Sequence, residues 1–352
     1  VDDDDVDAFV LTAVEPEFRA VVGHLEPGRS RRSADGAAYE VGHFHGERGR
    51  LRVAVQLGGA GNELAAALAE RAVARLRPSV LLFVGVAGGR KDVRLGDVVA
   101  ADTVYGYESG RDEADGFRPR IKSWPSSFAL VQRARLVAAD GRWRRRIRPS
   151  PPRPPAAYVG ALAAGAKVVA DTGSASGRLL REVTGDALAV EMEGLGLLTA
   201  ARINPRVQAL VVRGVSDLLG DKDEGHDAHW QPVAARHAAA FAFELLAQTE
   251  ARAPATPPQG LTARQTGELA TLLLRVPGIA APASWQMLLD QLPRVGVMTS
   301  RQQNPRLEAV SLVRTCEDLD GWQSLLDALE VLWPDTPAVR QVRHYLDEHR
   351  LV

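Results

Sequence analysis

The sequence predicts an α/β protein with a mixed central sheet flanked by helices, followed by a C-terminal all-α helical bundle. Three observations carry that reading. Short apolar runs alternate with helical patterns over the first two-thirds of the chain. The segment 251–260 then interrupts the pattern with proline and glycine. Beyond it the apolar spacing is helical throughout. The expected domains are therefore 1–250 and 261–352, joined by a Pro-rich linker over 251–260.

Taken in order, Val6–Val14 reads as a strand, and Pro16 suits the first turn of the helix after it. Tyr39–His45 and Leu51–Leu57 read as two strands around a Gly/Arg turn. Asn62 is expected to cap an Ala/Leu-rich helix reaching about Arg77. Val80–Val86 is a continuous apolar run, the pattern of a strand buried on both faces. Val98–Tyr107, Tyr158–Ala164, Leu188–Glu191 and Val207–Val212 supply further strands. Helices are expected near Gly177–Val183 and Gly194–Ala201, with a long one over Trp230–Thr249. In the tail, 261–275, 284–292, 306–319, 322–332 and 336–349 carry apolar residues at helical spacing. Trp285, Trp322 and Trp333 read as core residues there, and Cys316 as a small buried hydrophobe.

Composition narrows the function classes. A net charge of -1 exerts no overall pull on nucleic acid or anionic membrane. No window approaches the ~18 apolar residues of a membrane span. One cysteine rules out an internal disulfide framework, and no Cys/His cluster has zinc spacing, so neither metal nor cofactor is expected. A reducing, cytoplasmic setting follows. The chain opens on the acidic run Asp2–Asp5 and not on a signal-like segment; a solvated terminus is expected there.

Three places concentrate catalytic residue types. Thr12-Ala-Val-Glu-Pro-Glu17 lies at the exit of the first strand. The glycine-rich turn Leu57–Asn62 has a partner turn at Gly85–Gly89. Glu191-Met192-Glu193 and Arg213-Gly-Val-Ser-Asp217 follow the last two strands. Open α/β sheets bind ligands at such strand ends, and glycine lets backbone amides come close to a ligand. Breaking an N-glycosidic bond builds positive charge on the sugar and negative charge on the departing base. An acid at the base and a carboxylate at the sugar answer the two ends of that transition state.

Together these segments resemble the nucleoside phosphorylase and nucleosidase superfamily, in particular its methylthioadenosine/S-adenosylhomocysteine nucleosidase branch, over roughly Val6–Gln248. The resemblance implies a nucleoside phosphorylase-like sheet and a purine nucleoside or nucleotide substrate. Glu17 is implied to activate water, Glu193 to bind the ribose hydroxyls and Met192 to pack on the ribose. Asp217 is implied to protonate N7 with Ser216 holding it, and Arg213 to help orient the water. Glu191 is implied as a nearby acid, and Val168, in the segment over the base, stands where the family often has an aromatic. Val86, Ala87 and Gly88 complete the expected binding residues. Like charge from Glu15 and Glu17, and an apolar Val86 where a hydroxyl would help, favour water over phosphate as nucleophile. A phosphorylase and a non-catalytic nucleoside sensor are the alternatives.

The tail, from Leu261 to Val352, resembles a bacterial effector-associated domain, a death-like helical adaptor. That implies homotypic docking to a protein carrying the same adaptor and a role as a regulated effector in a bacterial conflict or antiviral system. The nucleosidase resemblance further implies a homo-oligomer, at least a dimer. Arg90, Lys91 and the cations within 118–122 are candidates for a substrate's 5′ phosphates. His226 and His229 lie in an expected polar loop, where they could form a lid. The basic run 143–148 and the prolines that follow precede a strand, so they are expected at the opposite end of the sheet from the catalytic turns.

Overall fold

Apolar residues on alternate sides of the central strands demand cover on both faces, and the computed structural model supplies it. It describes residues 5–34, 36–114, 116–169, 171–219, 224–249, 261–302, 304–319, 321–349 and 351. The expected linker 251–260 and Asp2–Asp4 lie outside them. The chain divides into two compact units, Val1–Ala253 and Pro254–Val352.

In the first unit β1 (Ala8–Thr12) leads into α1 (Glu15–Val22). The meander β2 (Ser30–Ala34), β3 (Ala37–Gly46) and β4 (Gly49–Leu57) follows, then α2 (Asn62–Leu76), β5 (Val80–Gly89) and β6 (Val98–Gly106). Three short strands, β7 (Gly110–Glu113), β8 (Gly116–Pro119) and β9 (Lys122–Pro125), precede α3 (Phe128–Asp140) and a 3-10 turn at Arg142–Arg146. The unit closes with β10 (Ala157–Ala164), α4 (Ala175–Val183), β11 (Ala189–Glu191), α5 (Gly194–Ile203), β12 (Gln208–Leu218) and α6 (Glu224–Ala247).

Among the described residues the main sheet runs β11-β10-β6-β12-β5-β1-β4-β3-β2. It is mixed: β1, β4, β5 and β12 are parallel neighbours, whereas β6 runs antiparallel to β12. Val10, Val55, Leu82 and Val212 face one core with α1, α3 and α6, while Phe9, Leu11, Phe83 and Val211 face the other with α2 and α5. β11 pairs with β10 and also antiparallel with β5, Ala189 opposite Gly89 and Val190 opposite Gly88. Five strands thereby close on themselves, and the ends of β5, β11 and β12 meet.

Several expectations change. Gly85–Gly89 is not a turn but the continuation of β5, held by β12 and β11. β12 likewise continues through Leu218, so Arg213–Asp217 lie within the strand, with a bulge between Val215 and Asp217. Asn62 is the first helical residue and Gly61 the cap. The Asn62 side chain instead donates to Gly165 O at 3.1 Å and accepts from Gly196 N at 3.1 Å, stitching α2 to two other segments. α6 starts at Glu224, so His229 is helical. β2, β7, β8, β9 and α3 carry weak or exposed patterns and were not expected from the sequence.

The proline-rich stretch after the basic run is also not at the opposite end. β10 is parallel to β6 and β6 antiparallel to β12, so the entry to β10 is level with the exit of β12: Ala157 opposes Val98, which opposes Gly214. The basic run is anchored too. Trp143 is fully buried edge-on against Phe241, and Arg146 pairs with Glu244 at 2.6 Å.

The second unit is helical: α7 (Ala263–Leu274), α8 (Pro282–Asp290), α9 (Val295–Met298), α10 (Pro305–Leu319), α11 (Trp322–Leu332) and α12 (Pro337–Glu348). Thr262 and Gln265 form a reciprocal capping box at the start of α7. Trp285, Leu312, Cys316 and Trp322 are buried in a shared core, with Trp333 packed at its margin.

Candidate functional site

The site is built where β1, β5, β11 and β12 end. Glu17 sits one turn into α1, so its side chain folds back over the helix start. One carboxylate oxygen accepts from Ala13 N at 2.7 Å and Val14 N at 3.1 Å; the other accepts from Val86 N at 2.8 Å. These bonds span β1, α1 and β5 and fix the carboxylate. Burial pushes the Glu17 pKa up, while Arg213 and the backbone donors pull against that rise. Gly85 beneath has to be glycine: a Cβ there would lie 2.6 Å from Glu17 Oε1 and closer still to the Arg213 guanidinium.

Arg213 is 1% exposed, with its guanidinium 4.2 Å from the centroid of the Phe83 ring. It donates to Glu191 Oε2 and, at 2.9 Å, to Glu193 Oε2. Glu191 Oε2 also accepts from the amides of Glu193 at 3.0 Å and Gly194 at 2.7 Å, the first amides of α5. Burial, and then repulsion from Glu193, raises the Glu191 pKa against the pull of Arg213. The other oxygen of Glu193 accepts from Gly61 N at 3.1 Å. Gly61 presents that amide from a positive φ of 116°, which a side chain would resist. Three carboxylates thus surround one guanidinium, a charge balance suited to positive charge developing nearby.

Asp217 and Ser216 close the far side. Ser216 Oγ donates to Asp217 Oδ1 at 3.0 Å, and the other oxygen faces Gly88, where a Cβ would approach to 3.2 Å. A cleft of about 220 Å³ lies between these groups. Glu17, Asp217, Glu193, Glu191, Met192, Ser216, Val168, Val86, Ala87 and Gly88 all line it. Val168 is 60% exposed and forms part of the mouth. Arg213 is not on the wall; it lies under the floor, where it meets the Glu191–Glu193 pair that lines the cleft.

Two polar lining residues were missed. Lys167 stands at the mouth, 4.0 Å from Glu108, and Gln231 reaches in from α6. Gln231 lies in the helix expected over Trp230–Thr249, but no motif marked it as facing the cleft. The expected 5′ cations are elsewhere. Arg90 donates to Ala187 O at 2.9 Å, Lys91 lies 3.9 Å from Asp92, and Arg118 lies 3.6 Å from Glu113. His229 faces a different cavity, and the side chain of His226 lies outside the described residues. Among the described residues no cluster could hold a metal, and no helix is long and apolar enough to cross a membrane.

Comparison with known proteins places this geometry. The chain is 28% identical over 259 residues to a death domain-containing ATP nucleosidase of Amphimedon queenslandica, covering 68% of this chain and 48% of that one. It is 27% identical over 254 residues to the ATP nucleosidase Cap17 of Escherichia coli strain KTE188, covering 63% and 47%. The chain therefore spans about half the length of the curated relatives it matches. In fold it resembles a 5′-methylthioadenosine/S-adenosylhomocysteine nucleosidase from Neisseria meningitidis, with TM-score 0.57, 20% identity, and coverage of 69% of this chain and 99% of that one. The futalosine hydrolase of Helicobacter pylori aligns with TM-score 0.57 and 18% identity, covering 69% and 97%. Residues 270–347 match effector-associated domain 2. Residues 7–249, most of the chain, match the phosphorylase superfamily, and the chain belongs to it.

Proposed function

We propose that the protein is an N-ribohydrolase that cleaves adenine from a nucleoside or nucleotide with water. The observation that carries this reading is the placement of Glu17 and Asp217 on one cleft, with Glu191 and Glu193 lining it as well. Glu17 takes a proton from water, whose oxygen forms the new bond to C1′. The bond from C1′ to N9 breaks, its electron pair passes into the purine, and Asp217 delivers a proton at N7. Glu193 holds the ribose hydroxyls, and the acidic surroundings favour the cationic sugar of the transition state. Glu17 is suited to a base because its pKa is raised yet its position is fixed by three amides.

Water is favoured over phosphate because Ala13 N, Val14 N and Val86 N, donors an anion would need, are taken by the Glu17 carboxylate. ATP, named as the substrate of the two curated relatives, is the nucleotide we infer. On the same reading the protein works in the cytoplasm as a homo-oligomer, dimer or larger, within a bacterial antiviral system. Its helical unit docks on a protein carrying the same adaptor, which the effector-associated match supports.

The test is adenine release from methylthioadenosine, adenosylhomocysteine, adenosine, AMP and ATP, with and without phosphate. Asp217→Asn and Glu17→Gln should each lose about 10²–10⁴-fold in kcat. Full activity in both would refute the assignment. Stimulation by phosphate would make the protein a phosphorylase, and binding without adenine release would make it a sensor.

A further inference from the structure

The cleft is the smaller of two hollows beside the start of α6. The second cavity, about 720 Å³, is lined by loop 94–97, the proline-rich segment 149–155 and one face of α6. The two share a wall. Leu219 and Gln231 face the cleft, whereas Leu218, Trp230 and Val233 face the second cavity.

Three guanidiniums, those of Arg94, Arg153 and Arg236, line this cavity, and none makes a side-chain hydrogen bond or ion pair among the described residues. The Nε of Arg236 is buried without a hydrogen-bond partner. Asp97, the acid in the lining, is committed to backbone: its oxygens accept from Arg94 N at 3.0 Å and Ala156 N at 2.8 Å. Burial lowers the His237 pKa and its Nδ1 lies 2.7 Å from Gly96 O, so it supplies a polar edge and no anion. Among the described residues three guanidiniums thus outnumber the one carboxylate, Asp97, which pairs with none of them; the excess positive charge invites a polyanion, and a guanidinium fork suits phosphate oxygens. Ser150 and His229 add polar edges, and the remaining lining is largely apolar: Trp230, Leu95, Leu218, Val233 and the prolines. Such walls hold a flat ring, and the volume exceeds what a bare inorganic ion fills.

We propose that this cavity is a second ligand site that takes a nucleoside polyphosphate, its phosphates on Arg94, Arg153 and Arg236 and its ring against Trp230 and the proline-rich segment. The proposal rests on the second cavity and not on the chemistry assigned to the cleft. The shared α6 wall gives an occupant a direct route to Gln231.

The test is equilibrium dialysis of the full chain carrying Asp217→Asn, with ATP as probe. Two molecules should bind per chain, and adding Arg153→Gln and Arg236→Gln should weaken one of them at least tenfold while sparing the other. Inorganic triphosphate should bind the second site at least tenfold more weakly than ATP, and adenosine more weakly again. An isotherm unchanged by the two arginine substitutions would overturn the proposal, as would inorganic triphosphate binding as tightly as ATP. If instead the cleft binds no ATP, one molecule should bind in total and the arginine substitutions should remove it. Arg153→Gln alone, on an exposed segment, should give a smaller weakening in the same direction should the combined variant fail to fold.

Discussion

The two units bury different things. The α/β unit buries a chain of ionisable groups, Glu17, Glu191, Glu193, Arg213 and Asp217, at the strand ends. The helical unit buries mainly aliphatic and aromatic side chains. Its buried acid Glu308 pairs with a half-exposed Arg301 at 2.5 Å. Buried charge lowers stability unless it is closely matched, whereas apolar packing is self-supporting. The first unit therefore holds a costly arrangement that chemistry can use, and the second is a scaffold whose role must lie on its surface.

Removing the cation should expose this contrast most strongly. Arg213→Leu leaves Glu191 and Glu193 without their shared partner and should destabilise the α/β unit by about 3–5 kcal/mol. Calorimetry should show that transition fall while the helical one stays put; equal shifts in both would break the comparison. Leu312→Ala should do the reverse, costing the helical unit about 2–5 kcal/mol through a core cavity, with adenine release by the other unit retained.

A smaller effect is expected in pH dependence. On the proposed mechanism Glu17 acts deprotonated, and burial pushes its pKa above the ordinary carboxylate range. Activity should therefore fall as pH drops through that raised value, placing the acid limb of kcat/KM above the range of an ordinary carboxylate. An acid limb at or below that range would show that Glu17 is not the base. The smallest effect concerns Cys316, the one cysteine, whose thiol is pushed up to about 12 by burial. A thiol reagent should leave the native protein unlabelled and react only when the helical unit opens. Rapid labelling of folded protein would contradict its packing.

Much of the site was legible because its residues lie in short local segments. Glu17 follows β1 by one helical turn, Glu191–Glu193 end β11, and Ser216–Asp217 lie near the end of β12, so each could be found by reading outward from an apolar run. What was not legible depends on pairing between distant segments. Gly85–Gly89 reads as a turn because glycine breaks patterns, yet β11 and β12 hold it extended. Arg213 was expected to help orient the water, yet its strand position turns it under the floor toward Phe83. The proline-rich segment was assigned to the wrong end because sequence order does not disclose that β6 opposes β12. His229 was read as a loop residue because polar residues hide the first turn of α6. α3 was missed although its apolar spacing is helical, since the exposed Phe128 and Leu136 blur the stripe.

The pairing of β11 with β5 has a consequence for how the chain comes to be active. Ala189 and Val190 pair with residues about a hundred positions earlier, next to the Glu191 that meets Arg213. Contacts so distant in sequence form slowly. A chain still emerging from the ribosome, or one truncated before β12, has no Asp217 and no guanidinium beneath the floor. On the proposed function, such a chain releases no adenine until its sheet is complete.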